Sequence, residues 1–497
     1  MFEAAEVGRK IPKQAFETRA REVQTALLAA QRALRDSSIP VVVIVSGVEG
    51  AGKGSVVNRL NEWLDARGIE TNAFWDETDE DRQRPRYWRF WRALPARGTI
   101  GIMFGSWYTR PIIDRVFQRV EEAEFDRELA RIAEFERMLV NDGALIVKLW
   151  YHLPKKVQRK RLEAESKDRR HSPLLKKFSK RYDRFSEVSE RAIRTTDSGP
   201  CPWHVVEATD DRYRDLTTAE ILLEAVTRRL ADAAVTAAAE ATAPPTPTEP
   251  AREPVAPEAS LTILDRVDLT RALSSKAYSR ELDRLQAKLR GLAWAARARR
   301  RHVIAVFEGW DAAGKGGAIR RVTGAMDARL FRVISVAAPT DEERAHHYLW
   351  RFWRHVPRAG HVTIYDRSWY GRVLVERVEG FATDHEWRRA YEEINEFEEQ
   401  LCEHGTVLMK FWLHISPEEQ LERFREREVT PWKEHKITPE DWRNRERWGA
   451  YELAVNEMVA RTSTAFAPWK VVAANDKRWA RTEVLRTFCD RLEEAVS

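Results

Sequence analysis

A glycine-rich segment, residues 309–315, is the first place where the sequence could do chemistry. It spells Gly-Trp-Asp-Ala-Ala-Gly-Lys, which is G-x-x-x-x-G-K, after an apolar run at residues 303–307. Its glycines let backbone N–H groups turn toward one phosphate, while the next helix adds its dipole and the lysine its charge. A glycine-rich turn that binds nothing is the alternative. The predicted phosphate-binding residues here are Gly309, Gly314, Lys315 and Gly316.

The position after the lysine departs from the usual P-loop. Gly316 stands where a Ser or Thr ordinarily holds magnesium, so Mg²⁺ needs oxygen ligands from elsewhere. Asp311, inside the loop, is one candidate. Asp366 is the other, because an aspartate that ends an apolar strand resembles a Walker B carboxylate beside the phosphates. Arg367 would face the same charge, although taken alone an Asp after a strand is more often a turn residue or a helix cap.

Further positive charge lies downstream of the predicted strand that carries Lys410. Because phosphoryl transfer is catalysed mainly by positioning and by cations on the transferred group, a basic lid over the site is a sensible interpretation. A solvated helix with acidic surface partners remains the alternative. The basic residues of this segment are Arg423, Arg425, Arg427, Lys433 and Lys436, of which Arg423 and Arg427 would share one helix face.

The same landmarks occur twice along the chain at one spacing. Lys53 and Lys315 are 315 − 53 = 262 residues apart, and His152 and His414 are 414 − 152 = 262 apart. The same offset relates Arg-Phe-Trp, Ser-Trp-Tyr and Phe-Glu motifs in the two halves. Two long copies are not a solenoid, so duplication of a whole domain is the better explanation.

Each copy alternates apolar runs with polar, helix-like stretches, which predicts an α/β fold: two tandem P-loop kinase-like domains, each a mainly parallel sheet covered by helices, with a helical lid. Ligands of such sheets bind beyond the carboxyl ends of the strands. The predicted domains are residues 1–232 and 260–497. Residues 233–259 are rich in Ala and Pro and predict an extended linker.

The first copy lacks part of the proposed site. Its loop keeps Gly47, Gly52 and Lys53, but the offset places Phe104 and Gly105 where the second copy has Asp366 and Arg367. A phenylalanine cannot ligate magnesium. Its remaining matches are Glu49 for Asp311, Arg110 for Arg372 and Arg115 for Arg377. The first half is therefore predicted either to bind an anion without turning it over or to act only as a structural partner.

The composition of the chain indicates the kind of ligand and the cellular compartment to expect. The 84 Lys and Arg residues against 78 Asp and Glu give a net charge of +6, which suits a polyanionic ligand or a solvated basic surface equally. The three cysteines form no C-x-x-C pair, which predicts neither a disulfide framework nor a zinc site. Without an apolar leader or a run long enough to cross a bilayer, we expect a cytoplasmic protein without a membrane partner.

These motifs together resemble the polyphosphate kinase 2 family, in its two-domain class. The likeness rests on residues 309–317, 348–353, 366–370, 375–378 and 410–412, and covers nearly all of the second half and, more weakly, the first. It implies transfer of phosphate from inorganic polyphosphate to AMP, giving ADP, in the second domain. It also implies that Asp311 and Asp366 hold Mg²⁺, that Lys315 contacts the phosphates, and that Arg367 and Arg427 stabilise the transferred group. The remaining predicted substrate contacts are Arg372, Glu376, Arg377, Lys410, Arg423 and Lys433.

Two other functions are open at this point. An ATP-dependent nucleotide kinase would share the loop and the metal ligands. A P-loop module that binds nucleic acid through its basic surface would not need the metal ligands, because a metal ligand adds nothing to contacts with the nucleic-acid backbone. We expect no nucleic-acid partner. The expected partners are polyphosphate and AMP or ADP, and the oligomeric state, including a homo-oligomer, is left open.

Overall fold

The computed structural model describes residues 1–74, 76–166, 180–242, 261–430 and 437–497. The chain forms two compact units. The first contains residues 1–77, 89–249 and 341–347, and the second contains residues 78–88, 250–340 and 348–497. Among the described residues, none of the helices combines the length and apolar composition that crossing a membrane needs.

The first unit is built on a five-stranded sheet in the order β2-β3-β1-β4-β5, with every neighbouring pair parallel. The central strand, β1, begins with five fully buried apolar residues, which is the pattern of a parallel strand covered on both faces. The strands are β1 (Val41–Gly47), β2 (Ile69–Ala73), β3 (Ile100–Phe104), β4 (Leu145–His152) and β5 (Trp203–Glu207).

The second unit repeats this topology, with its five strands in the order β7-β8-β6-β9-β10 and all neighbours parallel. Its strands are β6 (His302–Gly309), β7 (Phe331–Ser335), β8 (Val362–Asp366), β9 (Thr406–His414) and β10 (Trp469–Ala473). The predicted tandem α/β fold is confirmed. Because Phe307 on β6 pairs with Asp366 on β8, the loop that follows β6 and the turn that follows β8 leave the sheet at the same edge.

Helices connect successive strands in both halves of the sequence. Those of the first half are α1 (Lys13–Arg35), α2 (Lys53–Trp63), α3 (Asp79–Arg82), α4 (Trp88–Arg92), α5 (Thr109–Val116), α6 (Glu122–Asn141), α7 (Lys155–Ser166), α8 (Tyr182–Thr196) and α9 (Asp211–Thr242). Those of the second half are α10 (Ser275–Ala298), α11 (Lys315–Thr323), α12 (Asp341–Arg344), α13 (Trp350–Trp353), α14 (Val375–Val378), α15 (Asp384–Glu403), α16 (Pro417–Glu428), α17 (Pro439–Glu446), α18 (Trp448–Thr462) and α19 (Lys477–Val496). Short 3-10 helices span Phe2–Ala5, Ala66–Gly68 and Trp369–Val373.

Helix α9 extends into the first part of the predicted linker, residues 233–259. Helix α9 continues to Thr242, because residues 233–242 are mostly alanine, the strongest helix former. The rest of the predicted linker, residues 243–259, lies outside the described residues. The boundaries at 232 and 260 therefore stay predictions.

A buried polar cluster anchors β9 in the second unit. The ammonium of Lys410 donates to Glu398 Oε2 at 2.6 Å, to the Thr462 carbonyl at 2.7 Å and to the Tyr370 hydroxyl at 3.0 Å. These three partners use all three ammonium donors. The indole of Trp369 and the hydroxyl of Tyr370 both donate to Glu398 Oε1, so the turn after β8 is tied to the same carboxylate.

The first unit contains the same cluster around Lys148, whose ammonium donates to Glu136 at 2.8 Å and to the Thr196 carbonyl at 2.7 Å. Lys148 and Lys410 are both almost completely buried. A cluster present in both units favours a structural role. The predicted contact of Lys410 with substrate stays a prediction without geometric support.

We predict that Lys410→Met leaves the Glu398 carboxylate buried without its cation and lowers the free energy of unfolding by about 3–5 kcal/mol. Lys148→Met should have a similar effect on the first unit. Urea unfolding of the full chain measures both. Lys470→Met is the control, since that lysine is 42% exposed and its partner Glu483 keeps Arg486 as a second cation; its loss should cost at most about 1 kcal/mol. An effect of Lys410→Met as small as that of the control would contradict a structural role.

Candidate phosphoryl-transfer site

The loop between β6 and α11 has the backbone of a phosphate-binding loop. Gly309 has φ of +149°, and a Cβ there would lie 2.6 Å from the Leu413 carbonyl oxygen, so only glycine fits. Lys315 opens α11 and its ammonium donates to the carbonyls of Gly309 at 2.6 Å and Trp310 at 3.2 Å. A Cβ on Gly316 would meet open space. The helix N-terminus is therefore accessible to a phosphate.

The two predicted metal ligands both lie beside Arg367 at this edge of the sheet. Asp311 lies in the loop with its side chain 16% exposed, and its Oδ1 is 3.4 Å from Nη2 of Arg367. Asp366 ends β8, is half-buried and immediately precedes Arg367. The backbone N–H of Arg367 donates to the Phe307 carbonyl at 3.1 Å, which fixes the turn against β6. The structure thus brings together the lysine, the arginine and both aspartates that the sequence predicted.

The carboxylates at this edge surround the arginine and stabilise its positive charge. Burial alone would lower the pKa of Arg367, but the neighbouring carboxylates of Asp311 and Glu308, with smaller contributions from Glu440 and Asp366, raise it. Because arginine is a cation at neutral pH in any environment of this kind, the guanidinium is a permanent positive charge next to the loop. A fixed positive charge at this position suits a group that transfers negative phosphate.

Two residues of the site adopt left-handed backbone conformations that L side chains rarely adopt. Arg367 has φ of +65° and Ala312 has φ of +64°. The equivalent residues of the first unit are glycines, Gly105 with φ of +78° and Gly50 with φ of +80°. A non-glycine residue in this region costs about 1–3 kcal/mol and tends to occur at functional sites. The second unit thus carries strain where the first does not.

Helix α16 fixes the loop from one side through Arg423. Its guanidinium donates to the carbonyls of Ala312 at 2.9 Å and Ala313 at 3.0 Å, to those of Ala474 and Asn475, and to Glu419. These five bonds use all five donors, so the geometry favours support of the loop over direct contact with phosphate. In the first unit Arg161 donates to the Gly50 carbonyl in the same way.

Arg427 lies half-buried one turn further along α16, and its role at the transferred group stays a prediction. Lys433 and Lys436 of the predicted lid lie outside the described residues. Helix α17 follows them, and its Asn444 donates to Asp311 Oδ2 at 3.0 Å. Asn444 is thus a contact of the site that sequence reasoning missed.

The other predicted substrate contacts belong to the segment after the Arg367 turn. Arg372 forms ion pairs with Glu376 at 3.1 Å and Glu386 at 3.6 Å. Burial raises the pKa of Glu376, while Arg372 opposes that shift. Arg377 donates to Glu457 at 2.7 Å and to the Tyr391 hydroxyl at 2.9 Å. These contacts are internal to the unit, and substrate binding by the three residues stays a prediction.

Sequence reasoning also missed Glu308, the residue before Gly309. Its side chain is almost fully buried and accepts a hydrogen bond from the Ser368 hydroxyl at 2.8 Å. Burial raises the pKa of Glu308, and Asp366 adds to that shift, while Ser368, Lys315 and Arg367 oppose it. The available signal was the 262-residue offset, which places Ser46 at this position in the first unit.

The donor set fits magnesium. Mg²⁺ prefers oxygen ligands and is usually held by one or two carboxylates together with substrate phosphates. Asp311 and Asp366 supply two carboxylates at one edge, beside a loop that lacks the usual Ser or Thr. In the part of the chain that the structure describes, three or more His, Cys, Asp or Glu side chains do not gather into a self-sufficient metal site. A metal here would therefore depend on the substrate for its remaining ligands.

The equivalent place in the first unit has a different character. Lys53 is 3.4 Å from Glu49, the counterpart of Asp311, so the loop lysine has an internal counter-ion. A cavity of about 140 Å³ lies beside it, lined largely by apolar side chains that include Phe104, Ile112 and Trp150. In the first unit, Glu49 neutralises the loop lysine, and apolar Phe104 takes the place of an aspartate.

A parallel sheet with a G-x-x-x-x-G-K loop, two carboxylates and a strained arginine at its carboxyl edge defines a P-loop phosphotransferase. The comparisons with known proteins narrow this class. The family model for polyphosphate kinase 2 matches residues 10–234 and 272–497, and the chain belongs to that family.

Full-length relatives share this organisation. A protein of Pseudomonas aeruginosa named polyphosphate:AMP phosphotransferase is 50% identical, covering 100% of this chain and 99% of its own length. One of Pseudomonas syringae pv. tomato with the same name is 47% identical, with the same coverage of 100% and 99%. A crystal structure from Pseudomonas aeruginosa assigned to polyphosphate kinase 2 superposes with a TM-score of 0.88 at 48% identity, covering 100% of this chain and 99% of that one.

We predict that Arg367→Gly removes phosphoryl transfer but does not destabilise the fold, because glycine relieves the left-handed strain; the free energy of unfolding should rise by about 1 kcal/mol. Urea unfolding and a turnover assay measure the two effects. Ala312→Gly is the matched control, since it relieves similar strain without removing a charged side chain, and should keep most of the activity. An active Arg367→Gly enzyme would contradict the assigned role of the arginine.

Proposed function

We propose that the second unit transfers the terminal phosphoryl group of inorganic polyphosphate to AMP, giving ADP, with Mg²⁺ as the metal. The observation that carries this proposal is the convergence of Asp311, Asp366 and Arg367 on the loop of Lys315. The names of the full-length relatives support the donor and the acceptor. The geometry supports phosphate and metal chemistry.

In this reaction an oxygen of the AMP phosphate attacks the terminal phosphorus of polyphosphate. A new P–O bond forms to AMP while the bridging P–O bond to the chain breaks, and polyphosphate leaves one unit shorter with the bond's electrons on its terminal oxygen. Because the attacking oxygen is already anionic at neutral pH, no general base and no covalent protein intermediate are needed. The protein's contribution is positioning and positive charge.

Each part of the site has a place in that scheme. The loop N–H groups and Lys315 would hold the donor phosphates at the N-terminus of α11. Arg367 would neutralise charge that develops on the transferred group. Mg²⁺, held by Asp311 and Asp366, would supply further positive charge to the phosphate oxygens. Arg423 and Asn444 fix the loop and Asp311, so their effect on the reaction is through position.

The first unit is not proposed to catalyse this reaction. It has Phe104 and Gly105 in place of the aspartate and arginine, and Glu49 already neutralises its loop lysine. The first-unit site therefore lacks a pair of carboxylates to bind the metal of a polyphosphate chain. Its loop lysine is also already neutralised, which weakens its attraction for the phosphates. Its proposed role is structural.

The test compares two lysines at equivalent places. We expect the full chain to convert AMP to ADP with polyphosphate as donor, and Lys315→Ala to lower kcat by about a thousandfold, since Lys315 supplies a loop charge to the phosphates. Lys53→Ala should leave kcat within about twofold. Chelation with EDTA should abolish turnover, and added Mg²⁺ should restore it. Separation of AMP and ADP by chromatography measures all four.

The donor decides between the two kinase hypotheses. Phosphorylation of AMP by ATP, without stimulation by polyphosphate, would overturn the proposed donor and favour an ATP-dependent nucleotide kinase. A loss of turnover in Lys53→Ala with normal turnover in Lys315→Ala would overturn the assignment of the active unit.

A further inference from the structure

Glu308 is a buried acidic side chain in the second unit that the reaction scheme does not use. It lies on β6 directly before the phosphate loop and is 6% exposed. Its Oε1 accepts the hydroxyl hydrogen of Ser368 at 2.8 Å. Burying an acidic group is costly unless the group is hydrogen-bonded or paired, so its presence at this position needs an explanation.

Its partner, Ser368, follows the strained Arg367. The Ser368 oxygen also accepts the backbone N–H of Tyr370 at 3.3 Å, which caps the 3-10 helix Trp369–Val373. On the other side, the backbone N–H of Arg367 donates to the Phe307 carbonyl at 3.1 Å. The turn that carries Asp366 and Arg367 is therefore attached to β6 through two successive residues, Phe307 and Glu308.

The first unit serves as an internal comparison for this attachment. It keeps the serine as Ser106, whose oxygen accepts the Tyr108 N–H at 3.3 Å, so this serine-to-backbone hydrogen bond is common to both units. It lacks the glutamate, which is Ser46, and it lacks the strained arginine, which is Gly105. By contrast, the buried Lys410–Glu398 pair is kept as Lys148–Glu136. The glutamate is thus absent where the arginine is absent, while buried pairs that the fold needs remain.

We propose that Glu308 is a positioning residue that holds the Asp366-Arg367-Ser368 turn in its left-handed conformation through the Ser368 hydroxyl. Arginine disfavours this conformation and glycine does not, so only the unit with the arginine needs the additional attachment. The glutamate touches neither donor nor acceptor in this role. It acts by fixing where the Arg367 guanidinium and the Asp366 carboxylate point.

The experiment combines turnover with structure in the full chain. Glu308→Ser, which introduces the residue of the first unit, should lower kcat by at least about tenfold through misplacement of Arg367, with the KM for AMP changed by less than about twofold. Glu308→Gln keeps an oxygen that accepts the Ser368 hydroxyl and should retain kcat within about threefold. Crystal structures of both variants should show residue 367 leaving the left-handed region in Glu308→Ser and staying there in Glu308→Gln.

Ser368→Ala tests the same attachment from its other end, even if Glu308→Ser does not fold. It should lower kcat at least as much as Glu308→Ser does, because it removes both the Glu308 hydrogen bond and the Tyr370 hydrogen bond. The double variant should be no slower than Ser368→Ala, because the Glu308–Ser368 hydrogen bond is already absent there. Ser106→Ala in the first unit is the matched control and should leave kcat unchanged. Three results would each overturn the proposal. They are additive losses of kcat in the double variant, a Glu308→Gln variant as slow as Glu308→Ser, and an unchanged backbone at residue 367 in Glu308→Ser.

The positioning role of Glu308 rests on the proposed function only where it is tested by kcat measurements. If the wild-type chain fails to phosphorylate AMP from polyphosphate, the proposed function fails, while the backbone conformation at residue 367 in the two Glu308 variants still decides the positioning role.

Discussion

The arrangement of the second unit depends on one constraint: an arginine must occupy a backbone conformation that it disfavours. Arg367, with φ of +65°, follows the end of β8 and reaches Asp311 in the loop after β6. The register between these strands, with Phe307 opposite Asp366, brings the two segments to one edge. Strain of this kind persists only when surrounding contacts fix the residue. The neighbouring hydrogen bonds to Phe307 and Glu308 are such contacts.

Duplication makes this chain its own comparison. Features found in both units, such as the strand order and the buried Lys–Glu pair, are those that the fold requires. Features found only in the second, namely Glu308, Asp366 and Arg367, lie together beside the phosphate loop. The first unit replaces them with Ser46, Phe104 and Gly105 and pairs its loop lysine with Glu49. The first unit thus lacks both the charged side chains and the backbone strain that the second unit has beside its phosphate loop.

Much of the fold and of the candidate site could be predicted from the sequence, because the spacing of residues within a motif reflects local backbone geometry. G-x-x-x-x-G-K between a strand and a helix is typical of a phosphate-binding loop, and an aspartate at the end of an apolar run falls at the sheet edge. Glu308 was missed because it reads as the polar end of a strand, and its partner Ser368 is 60 residues away. Asn444 lies between Arg423, whose counterpart Arg161 is 262 residues away, and Ala474, whose counterpart Ala208 is 266 residues away, so the repeat gave Asn444 no defined counterpart. Arg423 could be placed on a helix, but its five internal hydrogen bonds could not be read from spacing.

The central claim is that charge gathers around a metal-bound phosphate in the second unit and not in the first. Crystals grown with polyphosphate and Mn²⁺, measured near the manganese absorption edge, test it most directly. The account predicts an anomalous peak between the carboxylates of Asp311 and Asp366, and none beside Glu49 and Phe104. A peak at the first-unit loop, or phosphate density at the Lys315 loop with manganese bound away from both aspartates, would contradict it.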